Sequence, residues 1–348
     1  MKIAHIDPQF DSREADILYH ELSQKEEISQ TVYILKKHSD KYKKERLESL
    51  SSVKVLELTF LNFFLLIFAG LKDFELTHIH NFKFAFIGYF NSLFAKIPYV
   101  VTNLYGNPNS YYQQKSSKVL ISKLSNFYNN TSNSNIKTVN VPLNNNIDLK
   151  HRKNTINLRQ AFPENILVGT IAPMEISKYG QCTILETARV IQGMEKLSKY
   201  KLHFVVIGNG DDDLTCEIEA LNKKTENISF FANVPDIYQY LNQFDLFLYP
   251  SLIEEFNPIL LDAIQLEKPL IVSDLKNVNA ITTHNENGIL VTPENVEAII
   301  EAIETIVTDS DFKDNLVAKA KKDITENNST EQFISKVLNI YSTLIKRA

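Results

Sequence analysis

The sequence predicts an α/β protein made of two doubly wound, Rossmann-like domains. Apolar, strand-like runs alternate with helical stretches along the chain, a pattern typical of parallel sheets with crossover helices. The 348 residues suit two domains of roughly 150 residues each. Hydrophobic residues make up 44% of the chain, which is enough to fill two cores.

The domain boundaries follow from the same pattern. We expect a first domain over residues 1–155 and a second over 156–328. The polar segment 143–155 has no sustained hydrophobic period and is interpreted as the connection between them. Residues 329–348 are predicted to form a final amphipathic helix. Its apolar face consists of Phe333, Val337, Ile340, Tyr341 and Leu344.

Composition limits the classes of function. The net charge of −5 and the isoelectric point near 6.0 indicate no basic surface for nucleic acid, so no nucleic-acid partner is expected. Cys182 and Cys216 have no metal or redox spacing and are interpreted as free thiols in a reducing compartment. The chain begins with a strand-like run instead of a signal-peptide pattern. These features predict a cytoplasmic location.

The most informative segment is a strand-to-helix junction after the apolar run 244–250. Asn257 is a good helix-capping residue and Pro258 suits a first helical position, so a helix should begin there. It would carry Asp262 about one turn in, on the same face as Pro258. Glu254 precedes the junction, eight residues before Asp262. A helix start at the carboxyl ends of parallel strands favours phosphate, and the two carboxylates can accept sugar and ribose hydroxyls.

Further segments follow in a recognisable order, namely 166–170, 178–180, 203–210, 228–236, 268–274 and 287–291. Together with the junction, they resemble the family 4 glycosyltransferases, which are retaining enzymes of the E-x7-E type that use nucleotide-sugar donors. In the first half the resemblance is limited to 1–6, 77–80, 98–102 and 139–142. It implies a GT-B fold, in which two Rossmann-like domains face a cleft and the last helix crosses back to the N-terminal domain.

The resemblance implies roles for individual residues. Glu254 would bind and orient the donor sugar, and Lys178 would neutralise the leaving diphosphate; these two are the predicted catalytic residues. Asp262 replaces the family's second Glu, which holds the ribose. The other predicted donor-binding residues are Gly208, Asn209, Gly210, Phe256, Asn257, Pro258, Ile259, Thr170 and Val234. His80 and Tyr105 are predicted on the acceptor side.

The chain also departs from the family pattern. It has only 9 glycines and lacks the Gly-rich loop expected after the first strand. Glu267 replaces a Gly before Lys268, where a left-handed turn is expected. Thr170 stands where many members have an arginine, and Tyr105 is at best a substitute for an expected histidine. These changes affect the phosphate contacts and the acceptor side.

No metal or cofactor is expected, and the donor would be a UDP- or GDP-linked sugar. The acidic run 211–213 is interpreted as a helix start, because acids there are favoured by the helix dipole. His78 and His80 project to one side of a strand, but no further His or Cys lies at metal spacing along the chain. His80 is therefore interpreted as a cleft-lining residue.

An apolar segment, residues 60–71, is too short to span a membrane, which takes ~20 residues. It is interpreted as a buried helix under the N-terminal sheet. The alternative is a helix resting on the inner face of the membrane, which would suit a lipid-linked acceptor.

The sequence therefore predicts a glycosyltransferase. It would transfer a sugar to a hydroxyl of a glycan or lipid-linked acceptor with retention of configuration, in cell-surface polysaccharide synthesis. The alternative is a non-catalytic GT-B subunit that binds a glycan or a partner. A nucleotide-sugar epimerase of the same fold is a third interpretation, but its acid and histidine pattern is not evident.

Overall fold

The structure is a computed structural model, and it forms two compact units that each contain one parallel sheet. The first unit comprises Met1–Lys123, Phe127–Pro142 and Asn328–Ala348, and the second runs through Leu143–Asn327. The second unit thus begins earlier than the predicted residue 156. The structure describes residues 1–8, 13–38, 41–66, 71–81, 84–104, 118–123, 136–140, 142–144, 147, 156–210, 225–232, 234, 236–254, 257–276 and 281–346.

The first unit has a seven-stranded sheet of order β3-β2-β1-β4-β5-β6-β7, in which every pairing is parallel. Its strands are β1 Lys2–Ile6, β2 Ser29–Leu35, β3 Val53–Leu58, β4 Leu76–Ile79, β5 Tyr99–Leu104, β6 Lys118–Lys123 and β7 Ile136–Asn140. The strand order reverses between β1 and β4. In doubly wound sheets, ligands bind at the carboxyl ends of the strands at such a switch point.

The helices of this unit are α1 Arg13–Ser23, α2 Lys41–Glu48, α3 Phe60–Leu65, α4 Ala85–Phe94 and the C-terminal α13 Thr330–Ile345. Helix α13 belongs to the first unit although it lies at the end of the chain. Its residues Phe333, Val337 and Tyr341 are buried in one cluster with Ile3 and Leu18. The apolar face predicted from sequence is therefore the packing face of this helix.

The second unit has a six-stranded parallel sheet of order β10-β9-β8-β11-β12-β13. Its strands are β8 Ile166–Ile171, β9 Leu202–Ile207, β10 Ile228–Phe231, β11 Leu246–Tyr249, β12 Leu270–Ser273 and β13 Ile289–Val291. Strands β9, β11 and β12 are buried at every position, as expected for a parallel sheet covered on both faces. The strand order reverses between β8 and β11.

The helices of this unit are α5 Leu158–Ala161, α6 Ile176–Tyr179, α7 Gln181–Gln192, α8 Glu195–Ser198, α9 Ile237–Gln243, α10 Ile259–Gln265, α11 Val296–Thr308 and α12 Ser310–Asn327. The predicted left-handed turn is present, because Glu267 has φ 60°. The N–H of Lys268 donates to the carbonyl of Ala263 (2.9 Å) and closes the end of α10. A glutamate thus occupies a backbone conformation that favours glycine.

The apolar segment 60–71 differs from the prediction of a buried helix. Helix α3 is only six residues long, and the side chains of Phe60 and Leu61 are 62% and 71% exposed. Leu66 and Leu71 are buried in a cluster with Ile79. Of the apolar side chains described in this segment, those at its start are exposed and Leu66 and Leu71 are buried. Among the described residues, no helix is long and apolar enough to cross a membrane.

Candidate functional site

The candidate site lies in the second unit, where the strand order reverses between β8 and β11. Three segments meet at the carboxyl ends of the strands: residues 172–180 after β8, residues 208–210 after β9, and residues 250–254 with 257–258 after β11. We call these the β8 loop, the β9 loop and the β11 loop. All but two of the sequence-predicted catalytic and donor residues that the structure describes lie in these loops or at the start of α10, Thr170 and Val234 being the exceptions.

Glycines allow the β9 loop to contact the backbone of the β8 loop. A Cβ atom on Gly208 would lie 1.8 Å from the carbonyl oxygen of Ala172, and one on Gly210 would lie 2.2 Å from that of Met174. Between these contacts, the N–H of Met174 donates to the carbonyl of Asn209 (2.9 Å). The predicted Gly-Asn-Gly turn is thus a close backbone approach that no larger residue permits.

The β8 loop is joined in the same way to the β11 loop. Gly180 has φ 73°, and a Cβ atom there would lie 2.1 Å from the carbonyl oxygen of Pro250. The N–H of Leu252 donates to the carbonyl of Lys178 (2.7 Å). Ser251, which is fully buried, places its hydroxyl 3.4 Å from the same carbonyl. These contacts hold the backbone of Lys178 against the loop that carries Glu254.

The two predicted catalytic side chains are both exposed on these neighbouring loops. Lys178 forms an ion pair with Glu175, one turn earlier in the chain. An exposed pair of this kind contributes little stability and can exchange for a charged ligand. An ammonium group and a carboxylate group are therefore both accessible at the β8/β11 switch point.

Helix α10 begins within one residue of the predicted position. The side chain of Asn257 accepts the N–H of Ile259 (3.1 Å) through Oδ1, and its Nδ2 donates to the carbonyl of Ile171 (3.4 Å). Asn257 thus caps the helix and ties it to the end of β8. The helix has only seven residues, so its dipole adds little to phosphate binding, whereas Lys178 on the β8 loop offers a full positive charge.

The two acids differ in accessibility. Asp262 is 2% exposed, whereas Glu254 lies at the surface. The N–H of Asp262 donates to the carbonyl of Pro258 (3.4 Å), so the two residues share a helix face as predicted. Sequence spacing identifies both positions but does not distinguish the accessible carboxylate from the buried one.

The remaining predicted residues differ in their burial. Thr170 is 1% exposed, and its hydroxyl donates to the carbonyl of Leu248 (2.5 Å), so this side chain connects β8 to β11. Asn209 is exposed, Val234 is half-buried and Ile259 is buried. Phe256 and Tyr105 lie outside the described residues, as do residues 211–213 and Cys216, and their predicted roles stay predictions.

In the first unit, His80 is 6% exposed and belongs to a buried cluster. Its Nε2 lies 3.0 Å from Nδ1 of His5, and its ring centroid is 4.1 Å from that of His78. Spacing along the chain did not reveal this third imidazole. The fold supplies it, because β1 pairs with β4 and places His5 opposite His78. His80 is therefore a buried side chain that packs against His5 and His78.

Residues 185–323 match the family described as Glycosyl transferases group 1. This part of the chain is a glycosyl transferases group 1 domain. The match includes Glu254 and Asp262 and begins after Lys178. It also contains the β9 and β11 loops, so most of the candidate site lies within the group 1 domain.

Curated relatives match about half of the chain. An uncharacterized glycosyltransferase of Methanocaldococcus jannaschii is 27% identical over 158 residues, which are 44% of this chain and 40% of the relative. The capsular polysaccharide biosynthesis glycosyltransferase CapM of Staphylococcus aureus is 23% identical over 189 residues, or 53% and 48% of the two chains. The chain thus matches less than half the length of these relatives.

Solved structures resemble the whole chain. A glycosyltransferase from Rickettsia africae has a TM-score of 0.78 at 16% identity and covers 100% of this chain and 99% of its own. HepE of Anabaena, in complex with UDP and glucose, has a TM-score of 0.75 at 17% identity and covers 99% and 100%. At this identity the likeness concerns the fold, and the group 1 domain belongs to a chain of the GT-B fold.

Proposed function

We propose that the chain is a retaining glycosyltransferase that takes a sugar from a UDP- or GDP-linked donor. The observation that carries this proposal is the placement of Lys178 and Glu254. Both are exposed on two loops that are hydrogen-bonded to each other at the β8/β11 switch point. The group 1 match supports the class of reaction, and the nucleotide bound in HepE supports the class of donor.

The roles of the two side chains follow from their chemistry. As the bond from the anomeric carbon to the diphosphate breaks, negative charge develops on the leaving phosphate. The Lys178 ammonium would neutralise that charge once the donor displaces Glu175. The Glu254 carboxylate would accept hydrogen bonds from hydroxyls of the donor sugar and hold its anomeric carbon towards the acceptor. The acceptor hydroxyl would attack on the face that the diphosphate leaves and pass its proton to the departing phosphate oxygen, which retains the configuration.

Two further residues would bind the nucleotide part of the donor, at a distance from the bond that breaks. The exposed turn at Asn209 offers polar groups beside the β8 loop. Asp262 would take the ribose hydroxyls, as its counterpart does in the family that the sequence resembles. Because this carboxylate is buried, the ribose hydroxyls would have to approach α10 closely to reach it. Thr170 is omitted from the donor contacts, since its hydroxyl already bonds the sheet.

The acceptor is proposed to be a glycan or a lipid-linked sugar of cell-surface polysaccharide synthesis. CapM is named for capsular polysaccharide biosynthesis. A relative in Campylobacter jejuni, 27% identical over 150 residues, is named for a diphospho-undecaprenol acceptor. The exposed apolar side chains of Phe60, Leu61, Leu93 and Phe94 favour a peripheral membrane contact of the first unit. Sedimentation with vesicles of anionic lipid would test that contact, and binding unchanged in Leu61→Asp would contradict it.

Nucleotide binding and release test the central proposal. UDP or GDP should raise the melting temperature, because a ligand at 100 times its Kd stabilises the folded state by about 2.7 kcal/mol. Incubation with a panel of UDP- and GDP-sugars should then release nucleoside diphosphate from one donor, with faster release when a matching acceptor is present. A chain that shows neither effect but retains a protein partner would be the non-catalytic GT-B subunit.

A further inference from the structure

Three histidines gather in the core of the first unit, at the point where its strand order reverses. His5 lies near the end of β1, His78 lies in β4, and His80 follows directly after β4. They are 0%, 1% and 6% exposed, respectively. Because side chains alternate along a strand and His5 pairs with His78, all three imidazoles project from the same face of the sheet. Glycosyl transfer as proposed above uses none of them.

The spacing of their nitrogens suits a small cation. Nδ1 of His5 and Nε2 of His80 face each other at 3.0 Å. One ligand nitrogen from each of the three histidines lies within 4.8 Å of the other two. Around a tetrahedral zinc ion with Zn–N bonds of 2.0–2.1 Å, ligand nitrogens are about 3.3 Å apart. Two of the nitrogens are already near that separation, and the nitrogen of His78 must move closer to both to complete the site.

Neighbouring polar groups can hold the imidazole rings in orientations that suit metal binding. A histidine that binds a metal through one nitrogen usually donates its other N–H to a fixed oxygen. Nδ1 and Nε2 of His78 lie 2.5 Å from the hydroxyls of Tyr341 and Thr102, so one contact can remain when the other nitrogen binds an ion. Nε2 of His5 is buried without a hydrogen bond of normal geometry.

Gln30 can supply the missing partner of His5. Its amide nitrogen donates to the carbonyl of Tyr19 (3.0 Å), which leaves its amide oxygen for another donor. Gln30 is close enough to His5 to raise the pKa of that imidazole slightly against the larger effect of burial. An Nε2–H directed at Gln30 fixes the tautomer in which the Nδ1 lone pair of His5 points to His80.

Charge is favourable as well. Asp7, two residues after His5 on the same side of the strand, is buried and accepts the Tyr19 hydroxyl (3.0 Å). The Tyr19 ring packs edge-on against both His5 and His80. This carboxylate offers negative charge beside the cluster.

We propose that His5, His78 and His80 form a binding site for one divalent transition-metal ion of the zinc type. The ion joins β1 to β4 at the switch point of the first sheet. Through the contact of His78 with Tyr341, it also couples this point to helix α13. Its role is structural, in contrast to the metal-independent chemistry proposed for the second unit.

Zinc binding by the untagged chain tests the site. After chelator treatment and gel filtration, titration with zinc should load one ion per chain and raise the melting temperature. Cobalt in its place should give the visible bands of tetrahedral coordination by nitrogen ligands. His5→Gln and His80→Gln should each abolish stoichiometric binding. Tyr341→Phe should weaken the affinity by roughly 10-fold or more, which is typical for loss of an outer-shell partner.

A buried histidine of the second unit provides the control. His203 stacks on Phe162 and bonds the hydroxyl of Ser229 (2.9 Å), away from the cluster. His203→Gln should keep the same zinc stoichiometry. If the cluster variants fail to fold, the cobalt spectrum of the unaltered chain still decides the question. No metal uptake, a spectrum without tetrahedral bands, or equal loading of folded His5→Gln would each show that the imidazoles form a hydrogen-bond network only.

Discussion

The two sheets of this protein share the order of their first six strands, and the first sheet adds β7 at its edge, but they use their switch points differently. Between β8 and β11, loops that meet through Gly180 and Gly208 present the exposed side chains of Lys178 and Glu254. Between β1 and β4, the corresponding position is filled by buried imidazoles, including that of His5. The same order of parallel strands thus supports an accessible charged site in one unit and a closed polar core in the other. The difference lies in the side chains and glycines that follow the strands.

Replacement of Lys178 should give the largest effect on activity. Lys178→Ala should lower kcat/KM for the donor by roughly two orders of magnitude, because a charge contact of the transition state is lost. Lys178→Arg should recover only part of it, since a planar guanidinium does not replace a point charge. The assay is release of nucleoside diphosphate from the preferred donor. The control is Lys201→Ala, which removes another exposed and ion-paired lysine. Equal rates in both alanine variants would show that Lys178 has no role in the reaction.

Glycine replacements compare the packing of the two units. In Gly208→Ala the new methyl group meets the backbone oxygen of Ala172 at 1.8 Å, so the loops must separate at a cost of about 3 kcal/mol. In Gly88→Ala, on α4 of the first unit, the three nearest atoms all belong to the side chains of Ile79 and Tyr99, so no backbone segment has to move to relieve them. Denaturant unfolding should show a smaller loss there, of about 1 kcal/mol. Equal losses would mean that the β9 loop is not constrained by its backbone contact.

Replacing the two acids, Glu254 and Asp262, distinguishes the loss of a ligand contact from a loss of stability. Glu254→Gln should reduce turnover about 10-fold or more while the shift of the melting temperature by UDP or GDP persists, because the role proposed for this side chain is contact with the sugar and not with the nucleotide. Asp262→Asn should weaken binding of the free nucleotide by about 1–3 kcal/mol, the cost of a lost hydrogen bond to a charged group. Since Asp262 is buried, this variant should also melt at a lower temperature without ligand. Normal nucleotide binding by Asp262→Asn would show that Asp262 does not bind the ribose.

The smallest effect is expected at Glu267. This residue has φ 60° at the end of α10, where a non-glycine residue costs on the order of 1 kcal/mol. Glu267→Gly should therefore raise the stability by up to about that amount, although the exposed ion pair with Lys321 is lost. Glu267→Ala loses the same ion pair and keeps the strained backbone, so it should not gain stability. A thermal unfolding series of the three chains measures the difference, and equal stability of the Gly and Ala variants would refute the strain.

The sequence by itself determined the features that depend on local chemistry. Apolar runs predicted the parallel strands, and the capping chemistry of Asn257 predicted where α10 begins. The position of Glu267 predicted a left-handed turn, and the apolar face of residues 329–348 predicted the packing of α13. Motifs alone identified Lys178 and Glu254 as candidate site residues, because each lies in a loop that follows a strand of the second sheet.

Only the tertiary structure decided which polar groups are buried and which meet. Asp262 and Glu254 look equivalent along the chain, but Asp262 on α10 is buried and Glu254 is exposed. Thr170 resembles a ligand position, yet its hydroxyl bonds β11 across the sheet. His5 reaches His80 across 75 residues because β1 and β4 pair in a particular register. Burial and long-range register arise from contacts between distant segments, and local sequence patterns carry no information about such contacts.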